Sequence, residues 1–243
     1  MSSIRRGILS SPSKLFDYYK GDTVIDLTFG SSGSILNNGK YGATISTPRG
    51  SSVVNSGIVD QYGFDLNLNR YIYVSPYNAL VSPIVPGRTV EAWFIPRSYS
   101  ADCSIYGQDL YGKNFDSSLA FMLTANNGQM KTATNRTADI YAPQATKGSF
   151  TGRAALLDTY GKLTHAALTK EGSGINLWLN GVKQGSGKTM GVSDSSNPFT
   201  VGCNSYNNPN AFFDGVLLRF RITNACRYTG NFTPDHPIDW KRY

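Results

Sequence analysis

Glutamate is almost missing from this chain, with only Glu91 and Glu171 in 243 residues, and histidine is as rare, at His165 and His236. General acid/base pairs and metal centres draw on these residue types, so most enzyme readings have little to work with. Cysteine is scarce and odd in number. Cys103, Cys203 and Cys226 show no C-x-x-C spacing and no paired framework, which reads as free, buried thiols. No apolar run approaches the ~18 residues of a membrane-crossing helix, and "MSSIRRGILSSPSKLF" lacks the continuous apolar core of a signal peptide. A soluble chain made in the cytoplasm, without membrane insertion, is expected. The sequons at Asn135-Arg136-Thr137 and Asn231-Phe232-Thr233 are then chance. The formal charge is +7, yet Lys and Arg are scattered from Arg5 to Arg242 without a run. A nucleic-acid partner is not indicated, and a diffuse positive surface is.

What is present points to strands. Gly 25 and Tyr 15, beside abundant Asn, Ser and Thr, suit short strands joined by turns, and 243 residues suit one large all-β domain. In "TVIDLTF", Ile25, Leu27 and Phe29 alternate with Val24, Asp26 and Thr28, as a half-buried strand requires. "YGATIS", "RYIYV" and "CSIY" are weaker strand signals. "RTVEAWFI" is apolar on both faces except for Glu91, with Val90, Ala92 and Phe94 opposed to Trp93 and Ile95, which places it inside a sheet. "GINLWLNGVKQG" aligns Ile175, Leu177 and Leu179 and then supplies Asn180-Gly181, the two positive-φ positions of a type I′ hairpin turn. "DGVLLRFRIT" reads as Val216, Leu218, Phe220 and Ile222 inward and Leu217, Arg219, Arg221 and Thr223 outward, giving an exposed basic sheet face. "GRAALLDTYGK" offers a turn or two of helix before Gly161, and no heptads or repeats occur.

The order of "RTVEAWFIP", "SLAFMLTANNGQM", "KLTHAALTKEGSGINLWLNGVKQG", "FTVGC" and "FDGVLLRFRITNACRYTGNFTP" resembles the laminin-G-like branch of the concanavalin A-like lectin/glucanase superfamily. More narrowly it looks like the versions in bacteriophage virion proteins, where an Arg-Tyr-Thr…Asn-Phe-Thr-Pro stretch is a recurrent ending. The resemblance covers residues 23 to 237. It implies a concanavalin A-like jelly-roll β-sandwich of two antiparallel sheets over residues 21 to 243. The closing segment would cross the sandwich edge as a strap, with Tyr228 and Phe232 packed on the last strand and Pro234 and Pro237 stiffening the chain. Cys226 and His236 would then have no chemical duty. His165, at a position where the family also carries histidine, would make a structural hydrogen bond.

Function follows from what such a fold does without catalytic groups. Glycosidases of this superfamily need paired acids on one strand in a Glu-x-Asp-x-(x)-Glu arrangement, and neither Glu91 nor Glu171 has such company. The expectation is a non-enzymatic bacteriophage virion protein, a capsid decoration or cement protein or a short tail-attached one, carried on the virion surface and assembled in the host cytoplasm. Its partners would be other virion proteins, major capsid or tail, and it would be a homo-oligomer or a multicopy component. Residues 1 to 20, with Arg5, Arg6, Lys14 and Lys20 against the single acid Asp17, read as a docking arm that uses Arg5, Arg6, Ile8, Leu9 and Phe16. Arg219 and Arg221 are a second docking candidate. The alternative is a tail-fibre or receptor-binding protein that holds host-surface glycan at its loops. Candidates there are Tyr106, Tyr111, Tyr206, Asn207 and Asn208, with Asp109 and Asp116 nearby, because tyrosine stacks on sugar faces and amides bind hydroxyls. No cofactor is implied. Calcium has one foothold, "DLNLN" at Asp65 to Asn69, which lacks the glycine and terminal Glu of an EF-hand loop.

Overall fold

The computed structural model describes residues 19–67, 69–75, 87–98, 103–108, 120–124, 129–133, 139–141, 161–172, 174–188, 198–203, 209 and 212–237. Among these the chain is a two-sheet antiparallel sandwich with no α-helix. The larger sheet runs β14 (Val182–Lys188), β13 (Gly174–Leu179), β12 (Thr164–Glu171), β7 (Arg88–Ser98), β16 (Asp214–Thr223), β1 (Thr23–Phe29), β2 (Ile35–Asn37). The ribbon of β4 (Val53–Asn55) and β5 (Tyr62–Asp65) is added through β5 to β16. The smaller sheet runs β11 (Asp139–Tyr141), β10 (Gln129–Ala133), β9 (Ala120–Thr124), β8 (Cys103–Gln108), β15 (Phe199–Val201), β6 (Ile72–Ser75), β3 (Thr44–Ser46). As its two-sided apolar pattern predicts, β7 lies mid-sheet, between β12 and β16. The short strands foreseen in "YGATIS", "RYIYV" and "CSIY" are β3, β6 and β8.

Alternation places Val90, Ala92 and Phe94 of β7 on the inner face, where they join Ile25, Leu27, Phe64, Phe220 and Ile222 against Ile72, Val74, Phe199 and Val201 of the facing sheet. Phe199 and Phe220 meet across the layers at 6.0 Å between ring centroids. Full burial of such a side chain yields about 1.5–3 kcal/mol, so this layer is the main source of stability.

The reading of "DGVLLRFRIT" as one unbroken alternation is corrected. A bulge between Leu217 and Arg219 inserts an extra residue, since Leu217 pairs Phe94 while Arg219 pairs the next residue down, Trp93. One added residue flips every later side chain to the other face. Leu217 therefore shares the inner core with Phe220 and Ile222, whereas Val216 and Leu218 lie outside against Trp93. The exposed basic face is corrected too. Arg219 and Arg221 do point away from the core, but they are only 8% and 1% exposed. Buried guanidinium needs a carboxylate, and each has one.

The β13–β14 hairpin turns as foreseen, with Asn180 at φ 49° and Gly181 at φ 79°. The closing segment differs from a strap over the sandwich edge. Residues 224–237 cross the outer face of the larger sheet. Thr89 Oγ1 donates to Ala225 O and accepts from Arg227 N, Phe232 N donates to Gly181 O at 2.9 Å, and Trp93 Nε1 donates to Asp235 O at 3.0 Å. Pro237 is buried at its end. Tyr19 and Lys20, which composition assigns to the arm, already touch the sandwich: Arg227 lies 5.0 Å over the Tyr19 ring, Thr23 Oγ1 donates to Tyr19 O and Thr23 N donates to Lys20 O. Residues 1–18 with Arg5, Arg6, Ile8, Leu9 and Phe16, and the helical turn foreseen at 152–160, lie outside the described residues.

Candidate functional site

Among the described residues, the densest group of ionisable side chains is beneath the strap. Register puts it there: Glu91 of β7 stands opposite Ala167 of β12 on one side and Arg221 of β16 on the other, so the small Ala167 leaves room above the sheet. Arg221 Nε donates to Glu91 Oε1 at 2.7 Å, Tyr228 Oη donates to Oε2 at 2.7 Å, and His165 Nε2 lies 3.0 Å from the same oxygen. Arg227 Nε approaches Oε1 at 3.4 Å, and Asp235 lies 3.6 Å from Arg221. With the carboxylate ionised, His165 donates from Nε2, and its buried Nδ1 has no hydrogen-bond partner. Beside this group Asp26 grips Arg219 through both oxygens, at 2.6 and 2.8 Å. Trp93 lies under both arginines, 4.9 Å from Arg221 and 5.5 Å from Arg219.

Aromatic rings seal the top. Tyr228 and Phe232 stack at 3.5 Å with 5° between planes, and Phe232 meets His165 and Trp178 edge-on at 5.6 and 5.7 Å. Trp178 Nε1 is satisfied by Thr169 Oγ1. Burial alone would raise the Glu91 carboxyl, but Arg221, the His165 hydrogen bond and Arg227 hold it well below the usual carboxylate range. The Tyr228 hydroxyl is pushed up, first by burial and then by the charge of Glu91. A general acid or base must reach a substrate and exchange a proton near working pH. Glu91 does neither, so the arrangement clamps the strap to the sheet.

The sequence reading missed this network. It had a usable signal: one acid and two arginines in strands that are otherwise apolar must pair if buried. The structural hydrogen bond foreseen for His165 is present. Cys203 is buried and Cys226 half-buried, both as free thiols. Burial, and next the charge of Glu171, push the Cys226 thiol up, so it stays protonated and unreactive.

Of the loop candidates, Tyr111, Asp109, Asp116, Tyr206, Asn207 and Asn208 lie outside the described residues, and for Tyr106 only the backbone is described. The strands leading to them are informative. Phe199 pairs Gln108 and Val201 pairs Tyr106, so the chain toward 109–119 leaves β8 at one end of the sheet while the chain toward 204–208 leaves β15 at the other. Tyr106 itself lies beside Val201, at the end where β15 stops.

The end where β15 stops has described neighbours. The turn at Thr47-Pro48-Arg49-Gly50, closed by Gly50 N to Thr47 O, leads from β3 toward β4. It carries Arg49, whose guanidinium lies 5.1 Å over Phe212, and Phe212 leans on Tyr71 at 6.3 Å. Asp65, the first residue of the calcium-like stretch, is held by Arg97 at 2.6 Å and Arg70 at 3.5 Å, and accepts from Asn67 N. Two arginines thus occupy the oxygens that calcium would need. Among the described residues no three His, Cys, Asp or Glu side chains gather as a metal would require.

The pattern of the family described as the concanavalin A-like lectin/glucanases superfamily matches residues 69–228. Among solved structures, domain 4 of AbnA, a GH43 extracellular arabinanase from Geobacillus stearothermophilus, in complex with arabinotriose, is similar with a TM-score of 0.59 at 18% identity, over 84% of this chain and 93% of that one. The binding domain of Paraclostridial Mosquitocidal Protein 1 gives 0.60 at 17%, over 86% of this chain and 50% of that one. The binding domain of botulinum neurotoxin DC in complex with SialylT gives 0.58 at 11%, over 86% and 49%. The chain thus spans about half the length of the two toxin binding domains, and at these identities the likeness is one of fold. No curated protein sequence matches the chain.

Proposed function

From the premise that the chain belongs to the concanavalin A-like lectin/glucanases superfamily, we propose that it is a non-enzymatic surface protein of a bacteriophage particle, a capsid decoration, cement or short tail-attached protein that displays a lectin-like domain. The observation that carries the non-enzymatic part is the sealing of Glu91. It is 0% exposed and both its oxygens are engaged, so it has no oxygen to offer a glycosidic bond. The particle context rests on the closing stretch from Arg227 to Pro234, the part of the sequence most like phage virion proteins. In this chain that stretch is a built element, keyed to the sheet by Tyr228 and Phe232. Other virion proteins are the partners, reached through the arm at residues 1 to 20, and copies would decorate the surface of a particle assembled in the host cytoplasm.

The second reading, a tail-fibre or receptor-binding protein that holds host glycan, is favoured by the company the fold keeps. Similar domains are seen with arabinotriose and with SialylT. Quantitative mass spectrometry of purified particles, with antibody labelling in electron micrographs, tests the main reading. Multiple copies on the capsid or tail are expected, and absence from purified particles overturns it. Loss of adsorption in particles lacking the protein, with assembly intact, would favour the second reading over the first.

A further inference from the structure

We propose that the rim where β15 ends is a subsite for carboxylated saccharides, with Arg49 as the group that takes the carboxylate. This deepens the glycan-binding reading above and rests on it. Arg70, Arg97, Asp65 and Asp214 form one ionic cluster beside this rim. Asp65 holds Arg97 and Arg70, and Asp214 lies 3.6 Å from Arg97. Arg49 is the remaining cation. It is exposed, and among the described residues no carboxylate pairs with it. It is nevertheless positioned. The turn that carries it is closed by a backbone hydrogen bond, and its guanidinium rests on Phe212, which is braced by the buried Tyr71. A guanidinium set over a ring face can still turn N–H groups toward the two oxygens of a carboxylate. Holding Arg49 in advance lowers the ordering cost of capturing a ligand. The rim also carries the exposed Asn69, whose amide suits sugar hydroxyls.

The experiment is titration calorimetry on the full chain with four probes: a sialylated oligosaccharide, a uronate-containing one, the neutral counterpart of the first, and a sulfated one. Wild type should prefer the carboxylated probes about tenfold over the neutral one. Arg49→Gln should remove that preference without lowering neutral binding or the thermal midpoint, and Arg49→Lys, which keeps charge but not the fork, should restore it only in part. Equal binding of neutral and carboxylated probes overturns the subsite while leaving the glycan-binding reading standing. Equal binding of the sulfated probe overturns the carboxylate assignment. An Arg49→Gln variant with unchanged preference overturns the role of Arg49, and binding of no probe by wild type overturns both this subsite and the reading on which it rests.

Discussion

On the inner face of the larger sheet, Val90, Ala92, Phe94, Phe220 and Ile222 meet the facing sheet through carbon alone. One residue along the same strands, Glu91, Trp93 and Arg221 meet the strap through hydrogen bonds and ion pairs, and beside them Arg219 is held by Asp26. The two layers hold the molecule differently. Apolar packing is non-directional and tolerates volume-conserving exchange. The charged layer accepts one geometry, because any unmatched group is left as a buried charge. The inner face thus supplies stability, and the outer face decides where residues 224–237 lie.

The largest effect should come from unbalancing the outer layer. Glu91→Ala strands Arg221 and frees Tyr228 and His165, with an expected loss of about 3–5 kcal/mol, similar to Phe220→Ala in the inner core. Denaturant melts give the magnitudes, and limited proteolysis separates the two. The Glu91 variant should be cut within 224–237 before the sandwich unfolds, whereas Phe220→Ala should lose protection everywhere at once. Identical cleavage patterns would mean that the strap is not an independent layer. Acid should produce a weaker version of the same release. The Glu91 carboxyl titrates well below its usual value of 4.5, so its stabilisation is complete above that value and is lost as pH falls through the lower, folded value. Melts between pH 6 and pH 2 should show a decline in wild type that Glu91→Gln flattens.

The inner face was legible because alternation in β7 and the Asn180-Gly181 turn are local patterns, set within a few residues. What stayed hidden depends on events far along the chain. The bulge at Leu217–Arg219 leaves no mark in "DGVLLRFRIT", since Leu217 and Leu218 are equally apolar and either could face inward. Alternation of Arg219 and Arg221 with apolar residues reports which face they take, and it cannot report that a strap from the C-terminal end covers that face. The all-β class was therefore readable in the residues themselves, and the strap's existence came with the family resemblance. Its path over Glu91, the burial of both arginines and the Arg49–Phe212 contact were not, because each joins residues brought together only by the fold.

Gly181 tests the same comparison at the strap's far end, with a smaller effect. It needs its positive φ for the hairpin turn, and a Cβ there would run into the carbonyl oxygen of Phe232. Gly181→Ala should cost about 1–3 kcal/mol and loosen the strap while the inner layer stays packed. Preserved near-ultraviolet aromatic signals from the Tyr228–Phe232 stack would show that the turn moves and the strap does not.

The smallest effect concerns a single exposed hydrogen bond. Asn231 Oδ1 accepts from Lys183 N at 3.1 Å and pins the strap to the first turn of β14, outside the ionic layer. An exposed bond of this kind contributes about 0.5–1 kcal/mol, because water replaces a lost partner. Asn231→Ala should therefore shift the denaturation midpoint slightly and leave the acid profile unchanged, since no charge in the Glu91 network is touched. Combined with Glu91→Ala it should add almost nothing, as the strap is already released and the bond already lost. Full additivity in that double mutant would show that residues 231–234 hold to the hairpin by themselves, dividing the strap into two separately anchored halves.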